Sequence, residues 1–236
     1  MSKFHVIIPA AGFGSRMSSE IPKQYLPLAG RPVINWTLKV FADCPRIDSV
    51  TLVLSADDAL WDAVGNPAGD KLQVQRCGGT TRAASVLNGL KAIEDQVAAD
   101  DWILVHDAAR PGLTIKLLNQ LLDTLQDDPV GGLLAIPVAD TLKRADSEQR
   151  VASTEPRESL WRAQTPQMFR FALLKRALET AGDAPTDEAQ AVEALGLKPR
   201  LVVGELHNLK ITYPQDLALA EAIFKADNES SEGEQK

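Results

Sequence analysis

Hydrophobic positions along this chain alternate between two rhythms. Residues 4–10 form a near-continuous apolar run, the pattern of a strand buried on both faces of a parallel sheet. A glycine-rich loop follows at once. Arg31-Pro32 then opens an amphipathic helix to Phe41, with Pro32 near the first turn, where a missing N–H is tolerated. Strands are predicted at 48–55, 72–76, 102–106 and 132–138, and helices at 80–94 and 115–125. In the first of these helices Val86, Leu87, Leu90 and Ile93 recur at helical spacing. This order implies a mostly parallel, twisted sheet with helices on both faces.

The regularity breaks at 139–158, a polar stretch with β-prone pieces at 141–142 and 151–152, which predicts an arm or hairpin leaving the core. Helices resume at 171–180 and 187–195, strands at 200–204 and 209–212, and a last helix is predicted at 215–225. Residues 1–226 are expected to form a single domain, and 227–236, rich in Asn, Ser and Glu, a disordered acidic tail.

Composition narrows the function. The chain has 236 residues, 44% of them hydrophobic and 24% charged, as expected of one globular α/β domain. A net charge of −7 without a long basic block speaks against extended nucleic-acid binding, so any anionic ligand must be gripped locally. Cys44 and Cys77 lack metal or disulfide spacing, and no apolar stretch is long enough for a membrane span or a signal sequence. A cytoplasmic location is the expectation.

Open parallel sheets bind ligands beyond the carboxyl ends of their strands. Here those ends carry Pro9-Ala10-Ala11-Gly12-Phe13-Gly14-Ser15-Arg16-Met17, with Pro22-Lys23-Gln24 beyond, then Gly78-Gly79-Thr80, then His106-Asp107-Ala108-Ala109-Arg110-Pro111. Glycines and small residues let backbone N–H groups approach a polyphosphate, and Arg16 and Lys23 add charge that a backbone lacks. A glycine-rich loop alone is equally compatible with a plain turn flanked by solvated cations. Met17 stands where a dinucleotide fingerprint needs its third glycine, and no P-loop is present, so nicotinamide chemistry and Walker-type ATPase chemistry both lose ground. His5, His106 and His207 sit apart and form no recognised catalytic arrangement.

The run from Pro9 to Met17 with Pro22-Lys23-Gln24 resembles the signature of the 2-C-methyl-D-erythritol 4-phosphate cytidylyltransferases. His106 to Pro111, Asp140-Thr141, Thr165-Pro166-Gln167, Thr186-Asp187-Glu188 and Asn208-Leu209-Lys210-Ile211-Thr212 resemble further motifs of that family, in its order. Thr80 departs from relatives that place a carboxylate there, and 204–207 departs from the smaller or more polar pattern before Asn208.

The resemblance implies a Rossmann-like nucleotidyltransferase domain with a protruding β-arm. It implies attack of a polyol 4-phosphate on the α-phosphorus of CTP, with pyrophosphate released and Mg²⁺ bridging the triphosphate. Arg16, Lys23, Arg157 and Lys210 are the catalytic residues it suggests. Pro9, Ala10, Ala11, Gly12, Gly14, Gly79, Thr80, Ser85 and Ala108 are implied for CTP. Asp107, Arg110, Thr141, Arg157, Thr165, Thr186 and Lys210 are implied for the polyol phosphate, and Asp107 is the one candidate metal ligand. It further implies a homodimer in which the arm brings Arg157 to the neighbouring site, with neither nucleic acid nor membrane as partner. The rival readings are a ribitol 5-phosphate cytidylyltransferase and a regulator that binds nucleotide without turnover.

Overall fold

The computed structural model describes residues 2–12, 17 and 21–233, with side chains as far as 226. Strand β1 (Phe4–Pro9) starts the domain. A two-stranded ribbon, β2 (Pro27–Leu28) and β3 (Arg31–Pro32), leads into helix α1 (Val33–Asp43), for which Pro32 is the N-cap. Then come β4 (Ser49–Val53), β5 (Leu72–Gln75), α2 (Arg82–Ala92), β6 (Trp102–Val105), α3 (Ile115–Leu125) and β7 (Gly131–Pro137). The arm is the hairpin of β8 (Leu142–Ala145) and β9 (Val151–Glu155). The chain returns through β10 (Trp161–Arg170), α4 (Phe171–Ala181), α5 (Glu188–Glu193), β11 (Arg200–Val203) and α6 (Pro214–Gly233).

Seven strands form one sheet in the order β11-β7-β10-β6-β1-β4-β5. All neighbours pair in parallel except β10, which runs antiparallel to both β6 and β7. The mostly parallel sheet expected from the element order is therefore present, with one reversed strand in its middle. That strand was not predicted. Gln164, Pro166 and Gln167 interrupt its apolar pattern, and its register with β7 shifts between Ala163 and Gln167.

Side chains of β1 alternate between two cores, as a pleated strand requires. Val6 and Ile8 face α1 and α3, where Leu38, Phe41, Leu118 and Leu122 are buried. Ile7 faces the opposite layer, formed by α2, α4 and α5 with Val86, Leu90, Leu174 and Val192. Three helix starts are fixed by side-chain caps: Thr81 for α2, Thr114 for α3 and Asp187 for α5 each accept a backbone N–H.

Two boundaries differ from expectation. Residues 209–212 form no strand; their ladder-like contact is the bond from Ile211 N–H to the Ala109 carbonyl, at 2.9 Å, and the segment is anchored by side chains instead. Helix α6 continues to Gly233 instead of ending at Lys225, so backbone predicted as a disordered tail is helical. No proline or glycine intervenes between Ala226 and Glu232 to stop it.

Candidate active site

At the carboxyl ends of β1 and β6 a cavity of about 390 Å³ opens against the start of α2. Pro9, Ala10, Ala11 and Gly12 after β1 line it together with Gly79, Thr80 and Ser85 at the start of α2 and Ala108 after β6. Lys23 and Lys210 both reach this cavity from opposite ends of the sequence. Gly14 and Arg16 lie outside the described residues.

Local chemistry explains the shape of these walls. Buried Gln24 donates to the Ala10 carbonyl at 2.9 Å and holds the loop after β1 against the sheet. Gly79 packs so tightly on the first turn of α2 that an added Cβ would lie 2.5 Å from the Ala84 side chain. The Gly79 N–H donates to the Ser85 hydroxyl at 3.0 Å, and that hydroxyl donates to the Thr81 carbonyl at 2.9 Å. Ser85 thus shapes the turn that carries Gly79. Lys23 donates to the Ile211 carbonyl at 2.8 Å, which places its ammonium beside the segment carrying Lys210.

A second, smaller cavity of about 170 Å³ adjoins the first and shares Arg82, Asp107 and Lys210 with it. Arg110, Thr165 and Thr186 line it as well. The structure therefore gathers five of the residues expected around the polyol phosphate. It does not gather Thr141 or Arg157, which are exposed on and beside the arm; Arg157 donates to the Ala139 carbonyl.

Asp107 sits where the cavities meet. Arg82 Nε lies 3.0 Å from one carboxylate oxygen, while Lys210 Nζ at 2.9 Å and Arg110 Nε at 3.3 Å share the other. Burial alone would raise this carboxyl, but Arg82, Lys210 and Arg110 outweigh it and hold the group well below the usual carboxylate range. Arg82 also clasps fully buried Glu188 through both guanidinium ends, at 2.6 and 3.1 Å. Three cations against two carboxylates leave the cluster net positive before Lys23 is counted. A positive field at the mouth of two cavities suits phosphoanions.

Metal ligation by Asp107 does not fit this geometry. Both its oxygens are engaged by cations, and the described residues contain no group of three or more His, Cys, Asp or Glu placed to hold a metal. Asp107, the candidate magnesium ligand, is in this structure a counter-ion to Arg82, Arg110 and Lys210.

The loop before Lys210 is pinned from within. Asn208 is fully buried, donates to the Thr165 carbonyl at 2.7 Å and receives Arg110 Nη1 on its own carbonyl at 2.8 Å. Gln164 Nε2 donates to the Glu205 carbonyl at 2.9 Å. Arg82, Glu188, Gln24 and Asn208 were assigned no role from sequence. The signals available were a lone arginine at the start of a helix and polar residues inside the recognised motifs.

Comparison with known proteins bears on the whole chain. The family model for 2-C-methyl-D-erythritol 4-phosphate cytidylyltransferase matches residues 4–226. A protein of that name from Dechloromonas aromatica (strain RCB) is 57% identical, over 96% of this chain and 99% of its own. One from Nitrosomonas eutropha (strain DSM 101675 / C91 / Nm57) is 58% identical, over 95% and 98%. A crystal structure of 4-diphosphocytidyl-2C-methyl-D-erythritol synthase superposes with a TM-score of 0.85 at 39% identity, covering 95% of this chain and 99% of that one. This chain belongs to the 2-C-methyl-D-erythritol 4-phosphate cytidylyltransferase family.

Proposed function

We propose that the chain transfers the cytidylyl group of CTP to 2-C-methyl-D-erythritol 4-phosphate, releasing pyrophosphate and forming 4-diphosphocytidyl-2-C-methyl-D-erythritol, a step of non-mevalonate isoprenoid synthesis. The observation that carries this reading, beside the family match, is the meeting of two anion-suited cavities over Asp107 and Lys210. The larger takes the nucleotide and the smaller the polyol phosphate.

The chemistry needs charge management and no general base. A phosphate monoester has a second pKa of about 6 and is largely dianionic at neutral pH, so it is already a nucleophile. One of its oxygens attacks the α-phosphorus, the bond to the bridging oxygen of pyrophosphate breaks, and negative charge accumulates on the equatorial and leaving oxygens. Lys23 and Lys210 are assigned to that charge, with Arg16. Arg110 and Lys210 hold the attacking phosphate in line. Ala10 and Gly79, whose small residues bring the backbone close, are assigned to the cytosine edge. A magnesium ion arriving with the triphosphate would supply charge neutralisation, and no described side chain is assigned to hold it. Arg157 is assigned to the active site of a second copy, because in its own chain it faces neither cavity. The cytoplasm is the proposed location; among the described residues no helix is long and apolar enough to cross a membrane.

Initial rates of pyrophosphate release, measured with CTP, UTP, ATP and GTP in turn and with methylerythritol phosphate or ribitol 5-phosphate as acceptor, test the proposal. The expected outcome is rapid release with CTP and methylerythritol phosphate alone. Preference for ribitol 5-phosphate, or CTP binding without any release, contradicts it.

A further inference from the structure

The turn after β6 carries a buried hydrogen-bonded chain that runs through His106 to Thr165. His106 is fully buried and meets the ring of Phe41 edge-on, with centroids 5.2 Å apart. Its Nε2 lies 3.1 Å from the Arg110 carbonyl oxygen, and its Nδ1 lies 3.0 Å from Thr165 Oγ1. The same Oγ1 accepts the backbone N–H of Asp107 at 3.1 Å.

Donor counting resolves the direction of each bond. A carbonyl can only accept, so the single proton of the neutral imidazole sits on Nε2 and Nδ1 is bare. The bond between Thr165 and the ring must then use the threonine's own proton, with the hydroxyl donating to Nδ1. Thr165 has its proton committed and one lone pair occupied by Asp107 N–H, which leaves one lone pair for the cavity that it lines. A hydroxyl in this state can accept a hydrogen bond but has nothing to give a phosphate oxygen.

We propose that His106 is a positioning residue that makes Thr165 an acceptor-only group, and that Thr165 reads a hydroxyl of the polyol, not its phosphate. The inference rests on the reading of the smaller cavity as the acceptor site. It divides labour there: Arg110 and Lys210, which carry only donors, take the phosphate, and Thr165 takes an alcohol that must itself donate. A second proton on the ring would reverse the Nδ1 bond and turn Thr165 into a donor. Burial pushes the imidazole down to about 4, with the hydrogen bond to the Arg110 carbonyl opposing, and so keeps the ring neutral at working pH.

The test pairs variants with acceptor analogues that each lack one hydroxyl. With the wild type, one analogue should lose about tenfold in kcat/KM relative to methylerythritol phosphate, the scale of one lost hydrogen bond to a site built for it. In Thr165→Val that analogue should be handled as well as the full acceptor, while the KM for CTP stays within about twofold. His106→Gln should show the same loss of discrimination, and His106→Asn, whose amide oxygen falls near the Nδ1 position, should recover part of it. Equal penalties for every analogue in Thr165→Val, or a loss confined to CTP, overturn the inference. Should a variant not fold, heteronuclear NMR of the wild-type imidazole nitrogens decides: a protonated Nε2 and bare Nδ1 are expected, and a protonated Nδ1 refutes it. Absence of turnover by the wild type with every polyol phosphate overturns the acceptor reading itself, and this assignment with it.

Discussion

Arg82 binds two buried carboxylates with one guanidinium, and its partners come from the turn after β6 and the start of α5. Such pairs are costly to break, because removing one member leaves an uncompensated charge in a dry site. His106 beside them is buried without charge, and that has a measurable consequence. Its ordinary value of 6.5 is lowered to about 4 in the fold, first by burial. The unfolded chain therefore takes up a proton below pH 6.5 that the folded chain refuses until about 4, so stability falls as pH falls through that window. The full shift corresponds to about 3 kcal/mol, and the loss from Asp107, whose carboxyl is held far lower, comes only at more acid pH. Buried His5 is lowered too, again chiefly by burial, and contributes in the same direction. Chemical denaturation across this range should show wild-type stability declining with acid, and His106→Asn declining by that much less. Parallel curves would mean that His106 titrates normally in the fold. At this scale the sequence displayed small residues and cations at the right strand ends. It did not display the ion pair of Arg82 with Glu188, 106 positions apart, or the hydrogen bond of Arg110 to the Asn208 carbonyl, 98 apart. Distances of that kind come from topology.

Elements with a clean period were legible in advance. Ile115–Leu125 matches its predicted bounds because Leu117, Leu118, Leu121, Leu122 and Leu125 mark one helical face behind a threonine cap. Trp161–Arg170 escaped prediction because its polar positions serve the site: Gln164 and Thr165 support the loop of Asn208, and Gln167 donates to Asp187 and accepts from the Ala189 N–H. A strand that carries chemistry on one face no longer reads as a strand. The break at 139–158 did announce the β8–β9 hairpin, whose strands pair only with each other. Arg157 stands near its base, away from its own cavities, and supports the proposed exchange between two copies. Mixing Lys23→Ala chains with Arg157→Ala chains, each inactive alone, should restore about a quarter of the wild-type rate: half the dimers are mixed under random exchange, and each has one intact site. No recovery after verified subunit exchange would place Arg157 in cis or outside the reaction.

The molecule as a whole carries a net charge of −7 and yet gathers Arg82, Arg110 and Lys210 at one crevice. That crevice lies at the carboxyl ends of β1 and β6, where an open α/β sheet is expected to bind, and this location followed from element order alone. Loop 208–212 closes it: Lys23 is tied to Ile211, Arg110 to Asn208, and Lys210 to Asp107. Its anchoring was hidden from sequence because most of its hydrogen bonds run to side chains and none to a neighbouring strand among the described residues. In the proposed reaction the acceptor's phosphate is the nucleophile and the α-phosphorus the centre attacked. Mass spectrometry after turnover of CTP with an acceptor whose phosphate oxygens are heavy-isotope labelled tests this most directly. All the label should appear in the cytidine diphosphate diester and none in the pyrophosphate. Labelled pyrophosphate, or CMP formed beside an unchanged acceptor, would contradict it.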